Sequence, residues 1–254
     1  MDEREIELRF KLIGLIEEER EKRIDKIKKE GIKWTPCNLN DNLFGLFAIP
    51  KFPLKNHFDD KGKINEFYNE ELIKPFSIHK PRRLFNRFYF NLNNGEGALN
   101  FYYDGSMSLI ISLNYFIDDF QGYECINPLY IYSFIYRFLC IVGKYYSLFK
   151  YYGFFDIHFD LRGIRGKYLL CREYNFSAEL INLPSKGTAV EEIDPYIKTC
   201  DIRELEIKKT AIAQEMILPL FYSYNIDKPV EIWDENGFPR VNFDEEFWIK
   251  QFGC

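Results

Sequence analysis

Residues 155–166, FDIHFDLRGIRG, carry an ionisable side chain at every second position: Asp156, His158, Asp160 and Arg162. Apolar residues alternate with them, which is typical of a strand whose successive side chains point to opposite faces. Two carboxylates, an imidazole and a guanidinium would then form one polar row. The polar row is either a catalytic or metal site or the hydrophilic face of a sheet. We favour a structural role, because same-face neighbours about 7 Å apart can neutralise one another.

A second candidate site is the segment 79–90, HKPRRLFNRFYF, in which cations alternate with aromatic rings. Cations that contact phosphates, beside rings that stack on bases, are typical of nucleic-acid-binding surfaces. The alternative is a loop with solubilising charges that enters a strand with its rings in the core. We favour the alternative, and the residues that would bind nucleic acid in the first case are Lys80, Arg82, Arg83 and Arg87.

Other motifs argue against an enzyme. Asp194 is followed by Glu206-x-Lys208, which resembles the acidic and lysine residues of metal-dependent nucleases, but such residues are common in this chain. The sequence has no G-x-x-x-x-G-K-[ST], G-x-S-x-G or H-E-x-x-H motif and no G-x-G-x-x-G after a strand. Its three histidines lack the spacing of a zinc site. We therefore predict no catalytic residues, no metal and no cofactor.

Composition limits the class of protein. Aromatic residues make up 18% of the 254 residues, which favours a folded chain with a large core. The net charge of -5 gives no global attraction to nucleic acid. Six cysteines without a C-x-x-C pair, and no signal sequence, predict reduced thiols and a cytoplasmic location. The most apolar stretch contains Arg137 and Lys144 and many tyrosines, so we predict a buried helix and no membrane span.

Pattern and turn residues predict an α+β fold. An antiparallel or mixed sheet would be packed by one long aromatic helix, beginning at Asn127-Pro128, and by a second amphipathic helix. Asp104-Gly105 marks the tightest hairpin of a meander. The expected elements are a strand at 43–50, a short helix at 64–75, the meander at 87–114, the long helix ending by Gly153, a strand at 155–162 that is continued or paired by 167–173, and a helix at 208–223.

The N-terminal residues 2–31 predict a charged helix with one narrow apolar stripe that includes Ile24 and Ile27. We therefore divide the chain into a helical arm, 1–32, and a single α+β domain, 33–254. The stripe either packs on this domain or is completed by a second protein. We predict that the arm is the assembly element and binds another subunit or a second copy of the chain.

Five segments appear in an order that resembles a known family: LIEEEREKRIDKIKKEG, GLFAIP, FYYDGSMSLI, FDIHFDLRGIRGKYLL, and IAQEMILPLFYSYNI followed by WDENGFP. The order resembles the C-terminal region of bacterial and archaeal proteins that begin with a Schlafen AlbA-type domain, to which DNA binding is ascribed. The AlbA-type domain itself is not visible here, so the chain is a stand-alone relative or a fragment, and none of that domain's DNA-binding residues can be carried over.

The resemblance implies a non-enzymatic accessory, sensing or protein-interaction domain in a DNA-linked regulatory or anti-phage defence system. Two alternatives follow from the residues rather than from the resemblance. One is a nucleic-acid-binding protein that uses the basic and aromatic surface around residues 80–90. The other, less favoured, is a metal-dependent nuclease.

Overall fold

The computed structural model describes residues 18–30, 32–33, 42–51, 58–69, 82–84, 86–92, 96–120, 122–171, 179–180, 192–193 and 196–224. Within these ranges the helices are α1 (18–30), α2 (Lys61–Phe67), α3 (Pro128–Leu148) and α4 (Ile202–Tyr222). The strands are β1 (Leu43–Pro50), β2 (Arg82–Arg83), β3 (Arg87–Asn91), β4 (Gly97–Tyr102), β5 (Met107–Ser112), β6 (Ile117–Phe120), β7 (Tyr123–Ile126), β8 (Phe155–Arg162), β9 (Tyr168–Cys171), β10 (Glu179–Leu180) and β11 (Tyr196–Cys200).

The larger sheet has seven strands in the order β11-β8-β1-β5-β4-β3-β2 among the described residues, and all its neighbours are antiparallel. β1 pairs with β8 along its whole length, so that Phe47 lies opposite His158. All eight residues of β1 are buried. An antiparallel sheet with helices is the predicted α+β class, which is confirmed.

One face of the sheet packs against α3 and α4 and forms the main core. Pro128 begins α3, and the Asn127 side chain accepts a hydrogen bond from the backbone N–H of Leu129, as its capping role predicts. The Tyr145 ring on α3 lies 4.6 Å, centroid to centroid, from the ring of Phe101 on β4. Aromatic contacts of this kind hold the long helix on the sheet.

The opposite face of the sheet is covered by α1. Ile24 and Ile27 are buried against Phe47, Ile49 and Ile110 of the sheet. The described part of the expected arm is therefore a layer of the fold, because its apolar stripe is used within the same chain. The stripe residues before position 18 lie outside the described residues, and assembly with another chain stays a prediction.

One prediction about the sheets is wrong. The sequence pattern predicts that segment 167–173 continues or pairs with β8, but β9 runs parallel to β7 in a second sheet of order β10-β9-β7-β6. Gly163 and Gly166 have positive φ angles of 81° and 74°, which turn the chain away from β8. The β6–β7 hairpin was not predicted, and Gly122, with φ of 82°, lies at its turn.

Helix α4 begins six residues earlier than the sequence pattern predicts, and it is kinked at the predicted start, Lys208, whose φ of -113° and ψ of 16° are not helical. Asp201 caps it by accepting a hydrogen bond from the backbone N–H of Glu204, at 2.8 Å. The short helix begins at Lys61, after its cap Asp60. Its expected end at 70–75 and the tail from 225 onward lie outside the described residues. In the part of the chain that the structure describes, no helix is both long and apolar enough to cross a membrane.

Candidate functional site

The polar row lies on the face of β8 that is covered by α1. Asp156, His158 and Asp160 are almost completely buried, whereas Arg162 is partly exposed. His158 has Phe47 of β1 on one side and Ile197 of β11 on the other, by register. The polar row is therefore not a hydrophilic outer face. It is a buried polar layer between a helix and a sheet.

Asp156 is held by groups from three other parts of the chain. Nε of Arg20, on α1, lies 2.9 Å from Oδ2 of Asp156. The hydroxyl of Thr199 on β11 donates a hydrogen bond to Oδ1 at 2.5 Å, and Nζ of Lys51 lies 3.9 Å from the same oxygen. A buried carboxylate needs such partners, because an unpaired charge in the interior is very unfavourable.

Asp160 is paired within the polar row and with α1. Arg162 donates from Nε and Nη2 to the two carboxylate oxygens, at 3.2 and 3.0 Å. Nζ of Lys28, on α1, lies 3.4 Å from Oδ2. The structure thus shows the predicted neutralisation between neighbours of the polar row for Asp160 and Arg162, and adds a cation from α1 that the strand pattern did not indicate.

His158 lies between these two carboxylates and is buried together with them. Burial, reinforced by the charge of Lys28, lowers the pKa of His158 from 6.5 to about 4. Its Nε2 atom is buried and has no hydrogen-bond partner among the described residues. The imidazole is therefore neutral near pH 7. A neutral imidazole can act as a base, but α1 separates this one from solvent.

The far end of α1 is anchored at a different strand. Glu30 accepts hydrogen bonds from Nη1 of Arg87, on β3, and from Nδ2 of Asn86, both at 3.0 Å. Arg87 also lies over the ring of Tyr102 at 5.3 Å. Cations of α1 thus meet acids of β8, and an acid of α1 meets a cation of β3.

The predicted nucleic-acid-binding residues occupy different environments. Arg82 and Arg83 are both exposed on β2, and Nη2 of Arg83 donates to the two carboxylate oxygens of Asp59, at 2.7 and 2.8 Å. Arg87 is buried beside Glu30. Lys80 lies outside the described residues. The structure therefore does not bring Arg82, Arg83 and Arg87 together on one open surface.

Of the acidic and lysine residues considered for a nuclease, the structure describes Glu206 and Lys208. Glu206 and Lys208 lie on the exposed side of α4, and Nζ of Lys208 is 3.3 Å from Oε1 of Glu204, one turn earlier. Asp194 lies outside the described residues. Among the residues that are described, no group of three or more His, Cys, Asp or Glu side chains is placed to hold a metal ion.

Sequence reasoning missed a surface feature that we call the tyrosine pair, Tyr115 and Tyr130. Their side chains are 43% and 46% exposed. The Tyr115 ring lies 5.6 Å from the ring of Phe134 on α3, and Tyr130 precedes Phe134 by one helical turn. The high aromatic content predicts a large core, and nothing in the sequence pattern marks these two tyrosines as exposed.

Comparison with known proteins gives no relative: the chain matches no family model, no curated protein and no solved structure. The Schlafen AlbA-type relationship therefore stays an expectation from the sequence.

Proposed function

We propose that this chain is a non-enzymatic accessory domain that acts by binding another protein. The single observation that carries the proposal is the exposure of the tyrosine pair beside α3. The setting, a DNA-linked regulatory or anti-phage defence system, is supported only by the order of sequence segments described above. A cytoplasmic location belongs to the same proposal and is supported by the buried thiol of Cys200, which forms no disulfide.

The surroundings of the tyrosine pair suit a binding surface. Phe116 and Phe134, whose ring centroids are 5.1 Å apart, both contact the ring of Tyr115. Such packing fixes the exposed ring of Tyr115 without a partner, so this side chain has little conformational entropy left to lose on binding. Tyrosines held in this way are enriched among the residues that dominate protein interfaces.

The polar row supports a non-enzymatic role in a different way. Its two carboxylates are engaged by cations of the same chain, and its imidazole is sealed beneath α1. The charged groups of the polar row thus attach α1 to the sheet, a role that needs no substrate. This structural role is the alternative to the catalytic or metal site that the spacing of these residues also allows.

The test uses tagged full-length protein to capture partners from the native host, followed by affinity measurement with the partner identified. Replacing Tyr115 and Tyr130 by Ala together should weaken binding at least tenfold, because buried interface tyrosines often contribute more than about 1.4 kcal/mol. Tyr152→Ala, which removes a more exposed tyrosine side chain elsewhere, should not. Equal binding by both variants would remove the support for this surface.

The non-enzymatic part of the proposal is tested separately. Purified protein with magnesium or manganese should not turn over nucleotides or single- or double-stranded nucleic acids. Robust cleavage that is abolished by Glu206→Ala would overturn it. Nucleic-acid binding around residues 80–90 has less support, because Arg87 is buried against Glu30. Unchanged affinity and salt dependence after charge reversal of Arg82 and Arg83 would reject it.

A further inference from the structure

Helix α1 is attached to the sheet mainly by charged groups. Its cations Arg20 and Lys28 meet Asp156 and Asp160, and Glu30 meets Arg87. Ile24 and Ile27 supply its buried apolar contacts. The α3 face, by contrast, is an extensive aromatic core. Elements with few buried apolar contacts open at lower free energy than the rest of a protein.

The helix also covers the one described histidine. The charged groups that face His158 are Asp156 and Asp160 of its own strand and Arg20 and Lys28 of α1. Its neighbours on the adjacent strands, Phe47 of β1 and Ile197 of β11, are uncharged. Lys51 contacts Asp156. The two acids favour a charged imidazole, and burial and the two cations oppose it more strongly.

We propose that α1 is a releasable cover of the polar row and that its detachment is coupled to proton uptake by His158. This inference does not depend on the proposed function. Detachment removes Arg20 and Lys28 from the vicinity of the imidazole and admits water to it. The buried Nε2 atom, which lacks a hydrogen-bond partner among the described residues, then gains partners from water, and both carboxylates remain beside it. Each of these changes makes the imidazolium form of His158 more favourable in the uncovered state than in the covered state.

The direction of the effect follows from the two protonation states. With α1 in place the pKa of His158 is about 4, and a solvated histidine has its ordinary value near 6.5. Above pH 6.5 neither state binds the proton, so coverage does not depend on it. Between pH 6.5 and 4 only the uncovered state binds the proton. Each pH unit in this window therefore shifts the equilibrium about tenfold toward release.

Hydrogen exchange read by mass spectrometry tests this on the full-length protein. Protection factors, corrected for the intrinsic effect of pH on exchange, are compared at pH 7.5, 6.5, 5.5 and 5. The protection of residues 18–30 should stay constant to about pH 6.5 and then fall about tenfold per pH unit. At every pH it should be at least tenfold lower than the protection of residues 128–148 of α3, which exchange through global unfolding. Constant protection of 18–30 down to pH 5, or equal protection of the two helices, would overturn the proposal.

Two sets of variants separate His158 from general effects of pH. His158→Gln should abolish the pH dependence, whereas the double variant His57→Gln/His79→Gln, which leaves His158 as the sole histidine, should retain it. Arg20→Gln/Lys28→Gln should lower the protection of α1 at least tenfold at pH 7.5. If His158→Gln does not fold, the wild-type series and the His57→Gln/His79→Gln variant decide the question. A pH dependence that persists in His158→Gln would contradict the proposal.

Discussion

At the scale of single residues, the alternation of polar and apolar side chains predicts the strand that carries the polar row, but not what covers that strand. Period two places Asp156, His158 and Asp160 on one side of a strand, and the structure confirms that strand. The alternation is the same whether that side meets water or a helix. Burial of the polar row depends on Arg20 and Lys28, which are more than 120 residues away in the sequence, so the strand pattern could not reveal it.

The buried histidine gives a prediction for global stability. His158 has a pKa of about 4 in the folded protein and an ordinary value near 6.5 when unfolded, so the unfolded chain binds the extra proton between these values. Stability present above pH 6.5 is therefore lost as the pH falls. Between pH 7.5 and 5 the loss should be about 2 kcal/mol, at about 1.4 kcal/mol per unit below 6.5.

Urea unfolding at both pH values measures this loss in the wild type and in His158→Gln. Other groups also titrate in this range, so the expected result is a difference of about 2 kcal/mol between the two pH-dependent changes. The same pH dependence in both proteins would show that His158 is not the group responsible.

At the scale of elements, the described part of α1 packs on the sheet through its own small apolar cluster. Ile27→Ala should lower the free energy of unfolding by about 2–4 kcal/mol, because it leaves a cavity beside the sheet. Ile207→Ala is the matched control: its side chain is 82% exposed on α4, and its effect should lie within about 0.5 kcal/mol. Denaturant titration compares them, and equal small effects would mean that α1 does not rest on the sheet.

Local signals predicted some element boundaries and missed others for identifiable reasons. Asn127-Pro128 predicted the start of α3, since Asn suits the N-cap and Pro suits the first turn of a helix. Asp201 and Glu204 have the spacing of a helix start, whereas the predicted start at 208 rests on the later apolar pattern. The pairing of β9 with β7 could not be predicted, because it depends on how the chain turns at Gly163 and Gly166.

At the scale of the whole molecule, one sheet supports two layers of different character. The layer toward α3 and α4 is aromatic and aliphatic, and the layer toward α1 combines a small apolar cluster with ion pairs. Stability should therefore be unequally distributed, with α1 opening before the main core. Composition predicted a large core, but it could not show that the candidate site would lie beneath the weaker layer.

The polar row holds α1 to the sheet, and a double-mutant cycle on Arg20 and Asp156 measures this attachment. Free energies of unfolding are measured for the wild type, Arg20→Met, Asp156→Asn and the double variant. The control cycle uses Glu18 and Lys22, an exposed pair within α1. We expect a coupling energy of about 1–3 kcal/mol for Arg20 and Asp156, because the carboxylate is buried, and none resolved for the control. Equal and negligible coupling in both cycles would contradict the claim.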